Sequence, residues 1–216
     1  MKKSVYSLVL MEDIVAAIDE LAYSLHTSRS NLINQILAEK VELVTPKQQL
    51  QSIFEQLSEC LSPYQHFQVQ NQAADHMYSV KSALRYRYNP TIRYCLYLIE
   101  KNHVLEGELR VVSRTQSDLL HHYLNHFFQT WSAIENRYQK ALWKREEKAK
   151  WLRILDLDYF QGAREYSELA PALSDYIHIL DKGIKLYFLQ IEKGYEDMKE
   201  LAKCYDDYCK EHSVMI

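Results

Sequence analysis

The alternation of hydrophobic and polar residues at the start of the chain predicts a short β-strand followed by two amphipathic helices. Residues 4–10 follow the two-residue period of a strand that has one large apolar face. Apolar residues then recur every three or four positions over about residues 12–25 and again after Ser28, a residue type that caps helices well. The two strand faces carry Tyr6, Leu8 and Leu10, and Val5, Ser7 and Val9; the two helix stripes carry Ile14, Ile18, Leu21, Ala22 and Leu25, and Leu32, Ile33, Ile36, Leu37 and Val41.

A second region begins after Thr45-Pro46, because the residue before a proline is pushed out of the helical range of backbone angles. Apolar residues at helical spacing predict a helix over 47–61. Residues 77–114 alternate in three runs that are separated by an Asn-Pro pair and by a glycine. This pattern predicts a three-stranded antiparallel meander.

The last part of the chain shows two stripes of apolar residues with four-three spacing, over 120–141 and 173–208. Such heptads predict two long helices packed as in a coiled coil, with Gly194 as the weak point of the second. The charged run 144–150 carries both signs at helical spacing, which is typical of a solvated helix face. The segment from about 152 to 171 is then expected to reverse the chain.

Composition changes this picture only in part. The chain has 4 glycines and 4 prolines in 216 residues, which favours long helices and leaves little material for glycine-rich phosphate loops. The formal net charge of −3 gives no general attraction for nucleic acid, so any DNA contact must come from a local basic surface. The scattered cysteines and the absence of a long apolar run lead us to expect a cytoplasmic protein with reduced thiols and no membrane contact.

The strand, helix, turn and helix of the first forty-odd residues resemble the ribbon-helix-helix family of DNA-binding proteins. The resemblance lies in SVYSLVL, MEDIVAAIDELAYSL and SRSNLINQIL, and it covers about a fifth of the chain. It implies an obligate homodimer whose two strands pair into a ribbon that enters the major groove of double-stranded DNA. The expected fold is therefore mainly α with a small β component: a ribbon-helix-helix domain over 1–45, then a helix-rich α+β domain over 46–216.

The same resemblance implies roles for individual residues. Val5, Ser7 and Val9 would read base edges, and Ser28, Arg29 and Ser30 at the start of the second helix would bind phosphate, aided by Lys2 and Lys3. Family members usually carry a glycine where His26 stands and an acidic residue where Asn31 stands. The dimer core would comprise Tyr6, Leu8, Leu10, Ile14, Ile18, Leu21, Leu32, Ile33, Ile36 and Leu37.

Outside this domain, arginines and tyrosines alternate over residues 85–94 and could form a basic aromatic surface for single-stranded nucleic acid or an anionic effector, although one packed and one polar sheet face would give the same pattern. His122 and His126 have the spacing of a metal-binding pair, but no third ligand type accompanies them. No nucleophile elbow or paired-cysteine motif is found. We therefore expect no catalytic residues, no metal and no cofactor.

The resemblance implies a sequence-specific transcriptional regulator, of repressor type, that binds DNA as a dimer and could form higher oligomers on it. The region 46–216 would bind an effector, a partner protein or further copies of the chain. Two alternatives stay open: an antitoxin-like autorepressor whose C-terminal region binds a partner protein, and a dimeric interaction protein that does not bind DNA.

Overall fold

A computed structural model of the chain describes residues 5, 7–41, 45–70, 74–101, 104–141, 143–147, 149–161, 166–212 and 216. The chain divides into two compact units, Met1–Gln49 and Leu50–Ile216. The division falls in the first turn of a helix that begins at Pro46, whereas the sequence led us to expect a boundary at about residue 45. Each unit is described by itself below.

The first unit contains two helices, α1 (Glu12–Ser24) and α2 (Arg29–Lys40). The turn between them passes through His26, whose positive φ of 50° takes up the left-handed backbone that a glycine would adopt more easily. Ser28 caps α2, since its hydroxyl oxygen accepts a hydrogen bond from the backbone N–H of Asn31 at 3.3 Å. The predicted pair of helices is therefore present.

The ribbon-helix-helix prediction is wrong for this structure. Residues 5 and 7–11 have no strand assignment, and a lone strand within one chain has no neighbour with which to form a ladder. We expected one face of this strand to lie in the core and the other to read DNA. Residues of both faces are instead exposed, including Val5, Leu8 and Val9. Lys2, Lys3 and Tyr6 lie outside the described residues.

The second unit is built on a six-stranded antiparallel sheet, which replaces the predicted three-stranded meander. The strand order is β1-β2-β3-β4-β6-β5, so the central strands follow the chain and the last hairpin adds to the β4 edge. The strands are β1 (Phe67–Val69), β2 (Met77–Ala83), β3 (Thr91–Lys101), β4 (Val104–Ser113), β5 (Lys144–Glu147) and β6 (Lys150–Leu155).

Four helices complete the second unit: α3 (Pro46–Leu61), α4 (Asp118–Glu135), α5 (Tyr166–Glu192) and α6 (Met198–Glu211). Helix α4 ends at Glu135, before the end of the first heptad stripe, and the last residue of that stripe, Ala141, lies in the connection to β5. The second stripe is divided between α5 and α6 because Gly194 turns the chain with a φ of 75°. The prediction of two long coiled-coil helices is therefore wrong, and the mixed helix and sheet content makes this an α+β unit.

The two faces of the sheet differ in their surroundings. The inner face packs against the helices in one apolar core, where the Phe54 ring stacks on Tyr78 and the Phe128 ring on Trp151 at 4.9 Å. Helix α5 approaches this core closely at Gly183, where a Cβ atom would lie 2.4 Å from the Trp131 ring. The outer face carries charged residues instead, as the alternation of β-strands requires.

In the described part of the chain no helix is long and apolar enough to cross a membrane.

Candidate functional site

The predicted DNA-binding residues of the first unit that the structure describes lie at its surface, but one of them is already paired. The guanidinium of Arg29 binds both carboxylate oxygens of Asp19 on α1, and both side chains are about half exposed. This contact holds the pKa of the Asp19 carboxyl below its usual range. Arg29 thus faces an acidic partner within the chain and is not a free phosphate clamp.

Ser28 and Ser30 flank this arginine at the start of α2. The Ser28 hydroxyl is engaged in the helix cap, and the Ser30 side chain is exposed while its backbone carbonyl accepts a hydrogen bond from Asn34. The positive end of the helix dipole lies at this point. Ser7, the polar member of the three expected base-reading residues, is exposed, as are Val5 and Val9.

Most of the described residues that were expected to form the dimer core are exposed in the first unit. Within its two helices, Ala22, Leu32 and Ala38 are the buried residues that the structure describes. Ile18 and Ile33 are partly buried, and most of the other large apolar side chains are open to solvent. These exposed residues are Leu8, Leu10, Ile14, Leu21, Ile36 and Leu37.

A basic cavity of about 570 Å³ lies in the second unit, where the β2–β3 loop, β3 and the segment that leads into α4 meet. Among the described residues, its lining includes four cationic side chains and no Asp or Glu. The cations are Lys81, Arg87, Arg93 and Arg114. The sequence pointed to Arg87 and Arg93 but missed Lys81 and Arg114, which stand in separate segments and come together only in the folded chain.

The loop between β2 and β3 decides which of the alternating residues reach this cavity. Our prediction of a strand through residue 88 is wrong: β2 ends at Ala83, and two consecutive residues with positive φ, Tyr88 and Asn89, reverse the chain. Tyr86 and Tyr88 consequently line the cavity. Arg85 is exposed and is absent from the lining, and Tyr94 is buried on the inner face of the sheet.

The Cys95 side chain lies on the outer face of β3, and the charges around it affect the pKa of its thiol. Burial raises the pKa of its thiol, while Arg93, Arg110, Arg114 and Lys150 act in the opposite sense. Arg110 is neutralised by Glu108, and Lys150 pairs with Glu146 at 2.9 Å. Three cations of this surface have no ion pair with another described residue, and they line the cavity: Lys81, Arg93 and Arg114.

A second polar cluster surrounds Asp181 on α5. This buried carboxylate accepts a hydrogen bond from the Tyr94 hydroxyl at 2.9 Å and lies 3.1 Å from Nε2 of His66 and 2.7 Å from Nζ of Lys185. Burial lowers the pKa of His66, and Lys185 lowers it further. Among the described residues, the Asp181 carboxylate is thus the polar partner of the His66 ring.

A third polar cluster is enclosed in the core. Glu135 on α4 accepts hydrogen bonds from Trp131, Trp143 and Tyr176, and its carboxylate lies 3.4 Å from Arg153 on β6. Burial raises the pKa of Glu135. With neither charged side chain open to solvent, this cluster joins α4, β6 and α5 and offers no approach to a substrate.

The two histidines of the α4 pair have different surroundings. His126 Nδ1 lies 3.1 Å from the Tyr187 hydroxyl and 3.0 Å from a Glu196 carboxylate oxygen, whereas His122 is exposed. Among all the residues that the structure describes, no group of three His, Cys, Asp or Glu side chains is placed to hold a metal ion.

No known protein family, curated protein or solved structure matches this chain.

Proposed function

We propose that this protein is a dimeric, sequence-specific DNA-binding regulator, and that its first unit carries both the dimer contacts and the DNA contacts. The observation that supports this proposal is the apolar surface left open on α1 and α2. Two short helices that bury so few large side chains gain little stability from their own packing, because isolated helices of this length are marginal in water. A partner surface is needed to cover them.

A second copy of the chain is the partner that fits this surface. Apart from Tyr23, the large exposed apolar side chains of both helices, such as Leu21 on α1 and Leu37 on α2, are aliphatic, so each copy can bury the patch of the other around a two-fold axis. Exposed apolar patches on small folded units usually mark such interfaces. Dimerisation would also double the number of DNA contacts that one chain can make.

The start of α2 supports the DNA contact. An exposed Ser30 and an exposed Arg29 stand where the helix dipole favours an anion. The Arg29–Asp19 pair is exposed to solvent, where ion pairs contribute little, so phosphate oxygens can replace Asp19 as the partner of this arginine. Contacts from Val5, Ser7 and Val9 to base edges are part of the proposal, without the ribbon geometry first expected for them.

The test combines light scattering with selection of duplexes from a random pool, both on the full chain. We expect a dimer that enriches one sequence family and whose affinity falls steeply with salt. Leu37→Glu should yield a monomer that has lost duplex binding, because it places a charge in the apolar interface. The matched control Tyr23→Glu changes a more exposed residue of α1, outside the expected core, and should remain dimeric and active.

Each other result has a defined meaning. A dimer that enriches no duplex would support the interaction protein without DNA binding, and a small protein that co-purifies in fixed proportion would support the antitoxin-like alternative. A monomeric wild-type chain would contradict the proposal at its first step.

A further inference from the structure

The basic cavity of the second unit combines charge, shape and aromatic surface in one place. Its volume of about 570 Å³ falls within the usual range of small-molecule pockets, roughly 300–1,000 Å³. A bare inorganic anion would fill a small part of it. A ligand that suits this space therefore carries an organic portion as well as negative charge.

The strand register places two of the cations side by side. Lys81 on β2 and Arg93 on β3 are direct partners across the antiparallel ladder. Like charges in this position destabilise a sheet. None of the ion pairs between described residues involves either side chain, so nothing within this part of the chain neutralises them. A bound anion would turn this unfavourable pair into a favourable contact.

The remaining charge comes from the edges of the cavity. Arg87 stands in the loop and Arg114 in the segment that leads to α4. Helix α4 begins here, with the Ser117 hydroxyl accepting a hydrogen bond from the N–H of Leu120 at 3.3 Å. The positive end of an 18-residue helix thus lies beside the four side chains, and Asp118 in its first turn is not among the lining residues.

Two tyrosines supply the aromatic surface. Tyr86 is held by edge-on contacts with Phe188 and Tyr123, at ring distances of 5.1 and 6.2 Å. Tyr88 is fully exposed and takes a φ of 64°, which is costly for a residue with a bulky side chain. The Tyr88 ring is exposed at the cationic cavity and is carried by a strained backbone, so it is placed to stack on the ring of a ligand.

We propose that this cavity binds a phosphorylated small molecule of the nucleoside phosphate class, with the phosphates at Lys81, Arg93 and Arg114 and the base against Tyr88. The four cations line one cavity of small-molecule size, which favours a compact ligand over a nucleic acid strand. This inference concerns the second unit and stands whether or not the first unit binds DNA.

The test is calorimetric titration of the full chain, without DNA, by ADP, GDP, CDP and UDP, and by pyrophosphate, adenosine and a dT12 oligonucleotide. We expect at least one nucleoside diphosphate to bind with one-to-one stoichiometry. Pyrophosphate should bind about tenfold more weakly, because it lacks the stacking ring, and adenosine should give no signal, because it lacks the charge.

Variants separate the cavity from general electrostatics. Arg93→Gln and Arg114→Gln should each weaken binding about tenfold or more, whereas Arg85→Gln removes the same charge from the same neighbourhood outside the lining and should change it little. Tyr88→Ala should weaken the nucleotide and leave pyrophosphate unchanged. Lys81→Gln should weaken binding yet raise the denaturation midpoint of the unliganded protein, since it removes the repulsion with Arg93.

Three outcomes would overturn the inference. The first is the absence of saturable binding by all four nucleoside diphosphates. The second is an Arg85→Gln variant as impaired as Arg93→Gln, which would indicate a diffuse charge effect. The third is dT12 binding more tightly than every nucleotide with the same sensitivity to Arg93→Gln, which would make this surface a nucleic acid interface.

Discussion

A single acidic residue is expected to limit DNA binding by the first unit. Asp19 holds the guanidinium of Arg29 in an exposed ion pair, so phosphate must compete with it. Asp19→Asn should therefore tighten duplex binding about two- to fivefold, which corresponds to the weak energy of a surface pair. Arg29→Ala should weaken binding to all duplexes and reduce the salt slope by about one. Both are measured as affinities across a salt series.

The control for this prediction is Glu20→Gln. It removes the same charge from the neighbouring position of α1, which is exposed and has no hydrogen bond to Arg29 among the contacts described. Equal gains from Asp19→Asn and Glu20→Gln would show that total charge, and not the release of Arg29, governs the affinity.

Two histidines, His178 on α5 and His66 beside this helix, should make the protein less stable in mild acid. The pKa values of both His66 and His178 are lowered, first by burial, and then by Lys185 for His66 and by the other histidine for His178. Because the unfolded chain takes up these protons first as pH falls below about 6.5, the free energy of unfolding should decrease between about pH 7 and pH 5. Denaturant titrations over this range measure the slope.

His178→Phe tests the cause of this slope. The His178 ring stacks on Tyr64 at 4.0 Å, and phenylalanine preserves an aromatic ring in that position without a titrating group. The variant should flatten the dependence on pH. An unchanged slope would assign the effect to His66, which lies against Asp181 and Lys185, or to groups outside this cluster.

Among the secondary structure elements, α4 and β6 should depend on the buried Glu135–Arg153 contact far more than β4 depends on the Glu108–Arg110 pair of its outer face. Glu135→Ala leaves Arg153 buried without its carboxylate and removes an acceptor from Tyr176, so we expect a loss of about 3–5 kcal/mol of unfolding free energy. Glu108→Ala breaks the partly exposed pair with Arg110 and should cost at most about 1 kcal/mol. Denaturation of both variants by urea provides the comparison, and similar losses would contradict it.

The elements that hydrophobic periodicity predicted correctly are those in which the apolar residues all lie on one face. Helix α3 is an example, since its apolar residues from Leu50 to Leu61 all lie in the core. The hairpin of β5 and β6 was missed because its charges fit helical spacing as well as a strand, and because β6 buries residues of both faces, Arg153 among them. The N-terminal strand failed for a different reason: its pattern requires a partner strand that one chain does not contain.

At the scale of the whole molecule, the sequence pointed to some residues of the candidate ligand site but did not show that they belong to one cavity. Arg87, Arg93 and the tyrosines around them drew attention because they are close in sequence. Lys81 and Arg114 did not, since only the register of β2 on β3 and the path of the chain into α4 bring them to the same cavity. Sites assembled from separate segments depend on topology, which local periodicity does not contain.

The division into two units leads to a prediction about separate functions. A chain of residues 45–216 keeps α3 whole and retains the core of the second unit, so it should fold and unfold in one cooperative transition. It should bind the same nucleoside diphosphate as the full chain, within about twofold in affinity, because every lining residue of the cavity is present. It should have lost duplex binding and dimerisation, which are assigned to α1 and α2.

Calorimetry, light scattering and duplex titration on this one protein test the two assignments separately. A fragment that still binds duplex DNA as the full chain does would move the DNA contact to the second unit. A folded fragment that no longer binds the nucleotide would show that the cavity depends on residues before position 45.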